Sequence, residues 1–119
     1  MTVKELYEIF DGDYDGVMSR LMNEQRVVKF AVRFIDDVTY SDFFNAYNAG
    51  DVQSAFRAAH TMKGVASNLG FSDLFKTSSA VTEDLRDGCP SGELPSLVKA
   101  MTASYEKVIN ALNEFKSQM

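Results

Sequence analysis

Apolar residues along this chain recur at intervals of three and four, the spacing that gathers them on one side of a helix. No run alternates apolar with polar residues between turn signals, as a half-buried strand does. Proline, the strongest helix breaker, occurs only at Pro90 and Pro95. Val3, Leu6, Tyr7 and Phe10 predict a short first helix stopped by Asp11-Gly12-Asp13, and Val17 to Met22 predicts a further turn or two. Asn23 is placed to cap a helix whose stripe runs through Val27, Val28 or Phe30, Ala31, Phe34, Ile35 and Val38. Thr39 or Ser41 opens a shorter helix through Phe43, Phe44 and Tyr47, ended by Ala49-Gly50. Asp51 caps a long helix from Val52 to about Leu69, closed by Gly70. Ser72 or Asp73 starts the next, with Leu74, Phe75, Ser78, Val81 and Leu85 on one side and Asp87-Gly88 at its end. A connection from Gly88 to Ser96 leads to a final helix marked by Leu97, Met101, Tyr105, Val108, Leu112 and Phe115.

Three or four long helices joined by short turns, with two small helices in front, predict an all-α fold: an antiparallel four-helix bundle with short additional N-terminal helices. A single domain over residues 1–119 is expected, with the short helices in 1–22 and the bundle in 23–119. A chain of 119 residues can bury a core sufficient to fold alone, and the 45% of hydrophobic residues, nine Phe and five Tyr among them, supplies it.

Charge narrows the function. Twelve basic against seventeen acidic residues give a formal charge of -5, which argues against a broad basic face for nucleic acid. The single cysteine, Cys89, has no internal disulfide partner, so a reducing, cytoplasmic setting is expected. The start Met1-Thr2-Val3-Lys4-Glu5 reaches charge before any apolar run forms, and no stretch nears the roughly 20 apolar residues of a membrane span. A free-standing chain, monomeric and away from membranes, is expected. Neither GxGxxG nor GxxxxGK occurs, so nothing marks an ATP site.

The lone histidine stands out by direction. At about 100° per residue along the Val52 to Leu69 helix, Ala55, Ala58, Ala59, Met62, Val65, Ala66 and Leu69 gather opposite His60 and predict the buried stripe. Gln53, Phe56, Arg57, Lys63, Gly64 and Ser67 share the side of His60, which should face solvent. Imidazole titrates nearer neutrality than any other side chain, so its unprotonated ring is available at pH 7 as a nucleophile. Lys63 and Gly64, three and four residues on, are its neighbours on the helix surface. Glycine costs a helix interior about 1 kcal/mol against alanine, and its missing side chain leaves room for a phosphoryl group and an approaching surface. Lys63 can offset the arriving charge.

The stretch Ala59-His60-Thr61-Met62-Lys63-Gly64-Val65-Ala66-Ser67-Asn68-Leu69-Gly70 resembles the signature of histidine phosphotransfer (HPt) domains, His-x-x-Lys-Gly followed by small residues and a second glycine. The likeness rests on His60, Lys63, Gly64, Asn68, Leu69 and Gly70, with Gly50-Asp51 before them. Met62 stands where the family commonly has leucine, a change that conserves volume. The resemblance implies a phosphorelay carrier: His60 is phosphorylated by the phospho-aspartate of a receiver domain, in a response regulator or hybrid histidine kinase, and passes the group to another receiver. It implies no cofactor of this chain's own and a Mg²⁺ ion in the receiver, which supplies most of the chemistry, so the chain is a carrier rather than an enzyme. Lys63 would assist electrostatically and Gly64 provide clearance, while Gln53, Phe56, Arg57, Ser67 and Asn68 would meet the partner. The alternative is a helical interaction module that kept the bundle without the chemistry.

Asp11-Gly12-Asp13-Tyr14-Asp15-Gly16 opens like an EF-hand loop, but its closing bidentate Glu is replaced by Met22, and an acidic helix-capping turn is the expected role. One His and one Cys do not make a zinc site, and no spacing links Cys89 to His60 as a nucleophilic pair.

Overall fold

A computed structural model describes residues 1–119 and contains seven α-helices: α1 (Val3–Ile9), α2 (Tyr14–Leu21), α3 (Glu24–Arg33), α4 (Thr39–Asn48), α5 (Val52–Leu69), α6 (Ser72–Leu85) and α7 (Leu94–Ser117), with a 3₁₀ turn at Phe34–Asp36 between α3 and α4. The all-helical reading holds. Local chemistry sets most of the starts. Thr2 and Glu5 form a capping box on α1, the Thr2 hydroxyl accepting from the Glu5 amide and the Glu5 carboxylate from the Thr2 amide. Asn23 caps α3 by accepting from the Arg26 amide.

Several boundaries differ from the periodicity. The Asp13 carboxylate accepts from the Gly16 amide, so α2 starts at Tyr14 rather than Val17. The α3 stripe was expected to run to Val38, yet the backbone tightens into the 3₁₀ turn after Arg33 and leaves Val38 exposed. There the chain turns toward α4, and the Asp37 carboxylate accepts from the Thr39 amide. α6 does open at Ser72, as expected, but without a side-chain cap: the residue before its first turn is Phe71, which is fully buried. Its ring meets those of Phe10 and Phe34 at 5.2 Å each, so aromatic packing holds this helix start where a polar cap would otherwise act. Pro95 lies inside the first turn of α7, where a missing amide hydrogen leaves no bond unmade, and the loop before α7 is correspondingly shorter than expected.

The four helices α4 to α7 follow one another by short turns as packed neighbours, with α5 between α4 and α6 and α7 against α6. Tyr40 of α4 stacks on Tyr105 of α7 at 3.8 Å and donates its hydroxyl hydrogen to Thr102 Oγ1 at 3.1 Å, closing the bundle on that side. α1 lies against α7, and α2 and α3 touch α5. The buried residues form one cluster reaching from Val3 to Phe115, so the N-terminal helices share the bundle's core.

Candidate functional site

α5 carries the candidate residues, and both its ends are fixed. At the start Asp51 accepts from the Ser54 amide at 3.1 Å, and its hydrogen bonds with Ser54 hold its carboxyl below the ordinary carboxylate range. At the end Gly70 adopts the left-handed conformation, φ 74°, and a Cβ there would meet the Asp13 carbonyl oxygen at 2.8 Å. That close approach exists because the N-terminal helices clasp this end. Arg20 donates to the carbonyls of Ser67 at 2.9 Å and Asn68 at 3.2 Å, Tyr7 donates to Leu69 O at 2.7 Å, and the Asp13 amide donates to Gly70 O at 2.8 Å. The carbonyls that a helix C-terminus leaves unpaired are thus taken by α1, α2 and their connection. Burial pushes the Tyr7 phenol well above its ordinary pKa, which keeps it a neutral donor.

Between these anchors Ala55, Ala58, Ala59, Met62, Ala66 and Leu69 are buried and His60 is exposed, midway along the 18-residue helix. Val65 departs from the expected stripe: it is half-buried, lining a shallow groove with Phe30, Arg33 and Asn68 at the edge toward α3. Lys63 is half-buried and Gly64 is exposed. A Cβ built on Gly64 meets no atom within 4 Å, so packing does not require glycine there, and its surroundings next to His60 are open. The two glycines of this segment therefore differ in cause, one demanded by backbone and contact, the other leaving free space.

On the α6 side of His60 the Phe56 ring lies 6.1 Å from the imidazole at 37°. The Arg86 guanidinium rests over the Phe56 ring, 5.5 Å from its centroid, and pairs with Glu83 at 2.8 Å. Arg86 holds the Glu83 carboxyl below its ordinary range, and the charge of Lys63 adds to that effect. On the opposite flank Arg57 donates to Ser54 Oγ at 3.2 Å, and the Thr61 hydroxyl donates back to Arg57 O.

Comparison of the sequence with protein families matches the Hpt domain over residues 33–115, more than two thirds of the chain. The chain belongs to the Hpt domain family. As an Hpt domain it is a histidine phosphotransfer module of phosphorelays, a class that works with receiver domains. Comparison with curated proteins and with solved structures gives no significant match. The family match begins at Arg33, so α1, α2 and nearly all of α3 lie outside it although they clasp the C-terminal end of α5.

Of the residues singled out in this Hpt domain for partner contact, Gln53, Arg57, Ser67 and Asn68 are exposed and Phe56 is half-buried. Gln53 and Ser67 lie close to the line of His60 along the helix, seven residues to either side, whereas Asn68 turns toward the α3 groove. Glu83, Arg86 and Arg20 were not singled out, since they reach α5 from other helices and no spacing within α5 points to them. The acidic loop places its carboxylates apart: Asp11 pairs with Lys107 at 3.3 Å and Asp13 caps α2. No three His, Cys, Asp or Glu side chains converge as a metal would require. No helix is long and apolar enough to cross a membrane.

Proposed function

We propose that this Hpt domain carries a phosphoryl group on His60, taking it from the phospho-aspartate of one receiver domain and yielding it to the aspartate of another. An unprotonated imidazole nitrogen attacks phosphorus, the N–P bond forms, the acyl O–P bond breaks, and the receiver's carboxylate leaves while the ring keeps its one proton. Reversal with a second receiver completes the relay. The observation that carries this reading is an exposed imidazole at mid-helix beside an open backbone position, with a lysine one turn away. Lys63 counters charge on the phosphoryl oxygens, Gly64 admits the partner's reacting edge, and Gln53, Phe56, Arg57, Ser67 and Asn68 form the rim that the receiver meets. The Mg²⁺ ion of such a transfer belongs to the receiver, and the chain acts as a carrier with no nucleotide site of its own. The lone exposed Cys89 supports a reducing, cytoplasmic setting, and we take the working form to be a monomer.

Incubation with a panel of phosphorylated receiver domains tests this. Acid-labile, base-stable phosphate is expected on the wild-type chain and absent from His60→Gln. A folded wild-type chain that accepts none from any receiver would favour the interaction module instead.

A further inference from the structure

The α6 flank of His60 carries more charge than the phosphotransfer reading uses. Arg86 is exposed and sits on Phe56, whose ring is the imidazole's aromatic neighbour, so the guanidinium is two ring contacts from His60. It is not free. Its Nη2 and Nε both donate to the Glu83 carboxylate, at 2.8 Å and 3.2–3.3 Å, a two-point arrangement that holds the planar guanidinium in place. Glu83 also lies within the field of Lys63, as the added lowering of its carboxyl by that lysine indicates. The Glu83 carboxylate is held by Arg86 alone, with Lys63 outside ion-pair distance of it.

We propose that Glu83 is a positioning residue that occupies Arg86 while His60 is bare and gives it up to the phosphoryl group once it is attached. This rests on the phosphotransfer reading of His60. The physical basis is competition. A phosphoryl group carries close to two negative charges and three acceptor oxygens, against one charge and two oxygens on Glu83, so Arg86 gains by turning to it. Arginine suits this exchange because its fork matches a carboxylate and a phosphoryl group alike. An unpaired arginine beside His60 would instead attract any passing anion, and the Glu83 pair prevents that. The carboxylate also repels the incoming phosphoryl group, so it sets how readily the site is filled and how long it stays filled.

The experiment uses the full chain with phosphoramidate as donor and ³¹P NMR to follow the N–P signal, with ¹H–¹⁵N spectra of the arginine Nε–H groups recorded alongside. On phosphorylation of the wild type the Arg86 Nε–H resonance is expected to move. Glu83→Gln, which keeps shape and removes charge, is expected to load about three- to tenfold faster and to hold the phosphoryl group correspondingly longer. Glu83→Asp should return toward wild-type values, and the gain from Glu83→Gln should shrink when Arg86 is also replaced by Gln. Thermal unfolding should be nearly equal in all four, because this pair is exposed. A stationary Arg86 resonance, or loading and lifetime in Glu83→Gln within twofold of a wild type that is phosphorylated on His60, would overturn the proposal while leaving the carrier reading intact. Absence of any N–P signal in the wild type would overturn both.

Discussion

Tyr7 of α1 donates its phenolic hydrogen to the carbonyl of Leu69, the last residue of α5, across 62 residues of sequence and 2.7 Å of space. Its ring is fully buried beside Phe10 and Phe71, so neither partner of this bond has water to fall back on. Tyr7→Phe removes the donor and leaves the ring, and it is expected to destabilise the fold by about 1–3 kcal/mol through the stranded carbonyl. Urea unfolding measures this. Phosphorylation of the folded fraction should be unchanged, because His60 lies nine residues away on another face of α5; a loss of labelling at full folding would contradict that separation.

Lys63 has the opposite profile. Its ammonium group contributes little to a surface of this kind, so Lys63→Ala should shift stability by no more than about 0.5 kcal/mol. Transfer from a phosphorylated receiver should slow by about tenfold or more, since the charge on the phosphoryl oxygens then lacks its nearest cation. Single-turnover transfer kinetics read the effect, and an unchanged rate would remove Lys63 from the site.

The two glycines of the site should separate cleanly on substitution. A Cβ at Gly64 meets no neighbour and Gln is the better helix former, so in Gly64→Gln the fold should hold or gain up to about 1 kcal/mol, while receiver-dependent transfer falls sharply because the side chain fills the opening. Gly70→Ala should lose stability, having both a left-handed backbone and the Asp13 carbonyl at 2.8 Å against it. Thermal melts paired with transfer assays distinguish the two, and a fully active Gly64→Gln would show that clearance is not its role.

Asp51 brings a pH dependence. Its carboxyl is held below the ordinary value of 3.8 by the hydrogen bonds it accepts from Ser54 at the start of α5. A depressed folded pKa means that the charged cap's contribution is fully present above the unfolded value and fades as pH falls through the folded one. Asp51→Asn keeps an accepting oxygen without the charge. Its unfolding temperature should therefore sit slightly below the wild type's at pH 7 and converge with it as pH drops below about 4. A gap that persisted unchanged into strong acid would exclude the charge as its origin.

How far the chain could be read in advance follows from where each cause lies. The bounds of α5 were legible because Asp51 and Gly70 are local signals at either end of an unbroken apolar period, and the outward direction of His60 follows from that helix alone. The end of α3 was not, because Ile35 and Val38 continue the period after the hydrogen bonding has tightened at Phe34–Asp36. The start of α6 at Ser72 was legible but not what holds it there, since Phe71, packed on Phe10 and Phe34, stands where a polar cap would act. Around the site the same division holds. Lys63 and Gly64 share a helix face with His60, so spacing alone groups them with it. Glu83, Arg86 and Arg20 arrive by the register of packed helices, which depends on side-chain interlocking that one strand of letters does not state.

The clasp at the end of α5 bears on how the protein can be cut. A fragment trimmed to the family-matched span would discard Tyr7, Asp13 and Arg20 together, baring the terminal carbonyls of the His60 helix and opening one wall of the interior where Leu6, Phe10, Val17 and Val27 now sit. Such a fragment should be molten or prone to self-association, and the smallest autonomous unit reaches back to the first turn of α1.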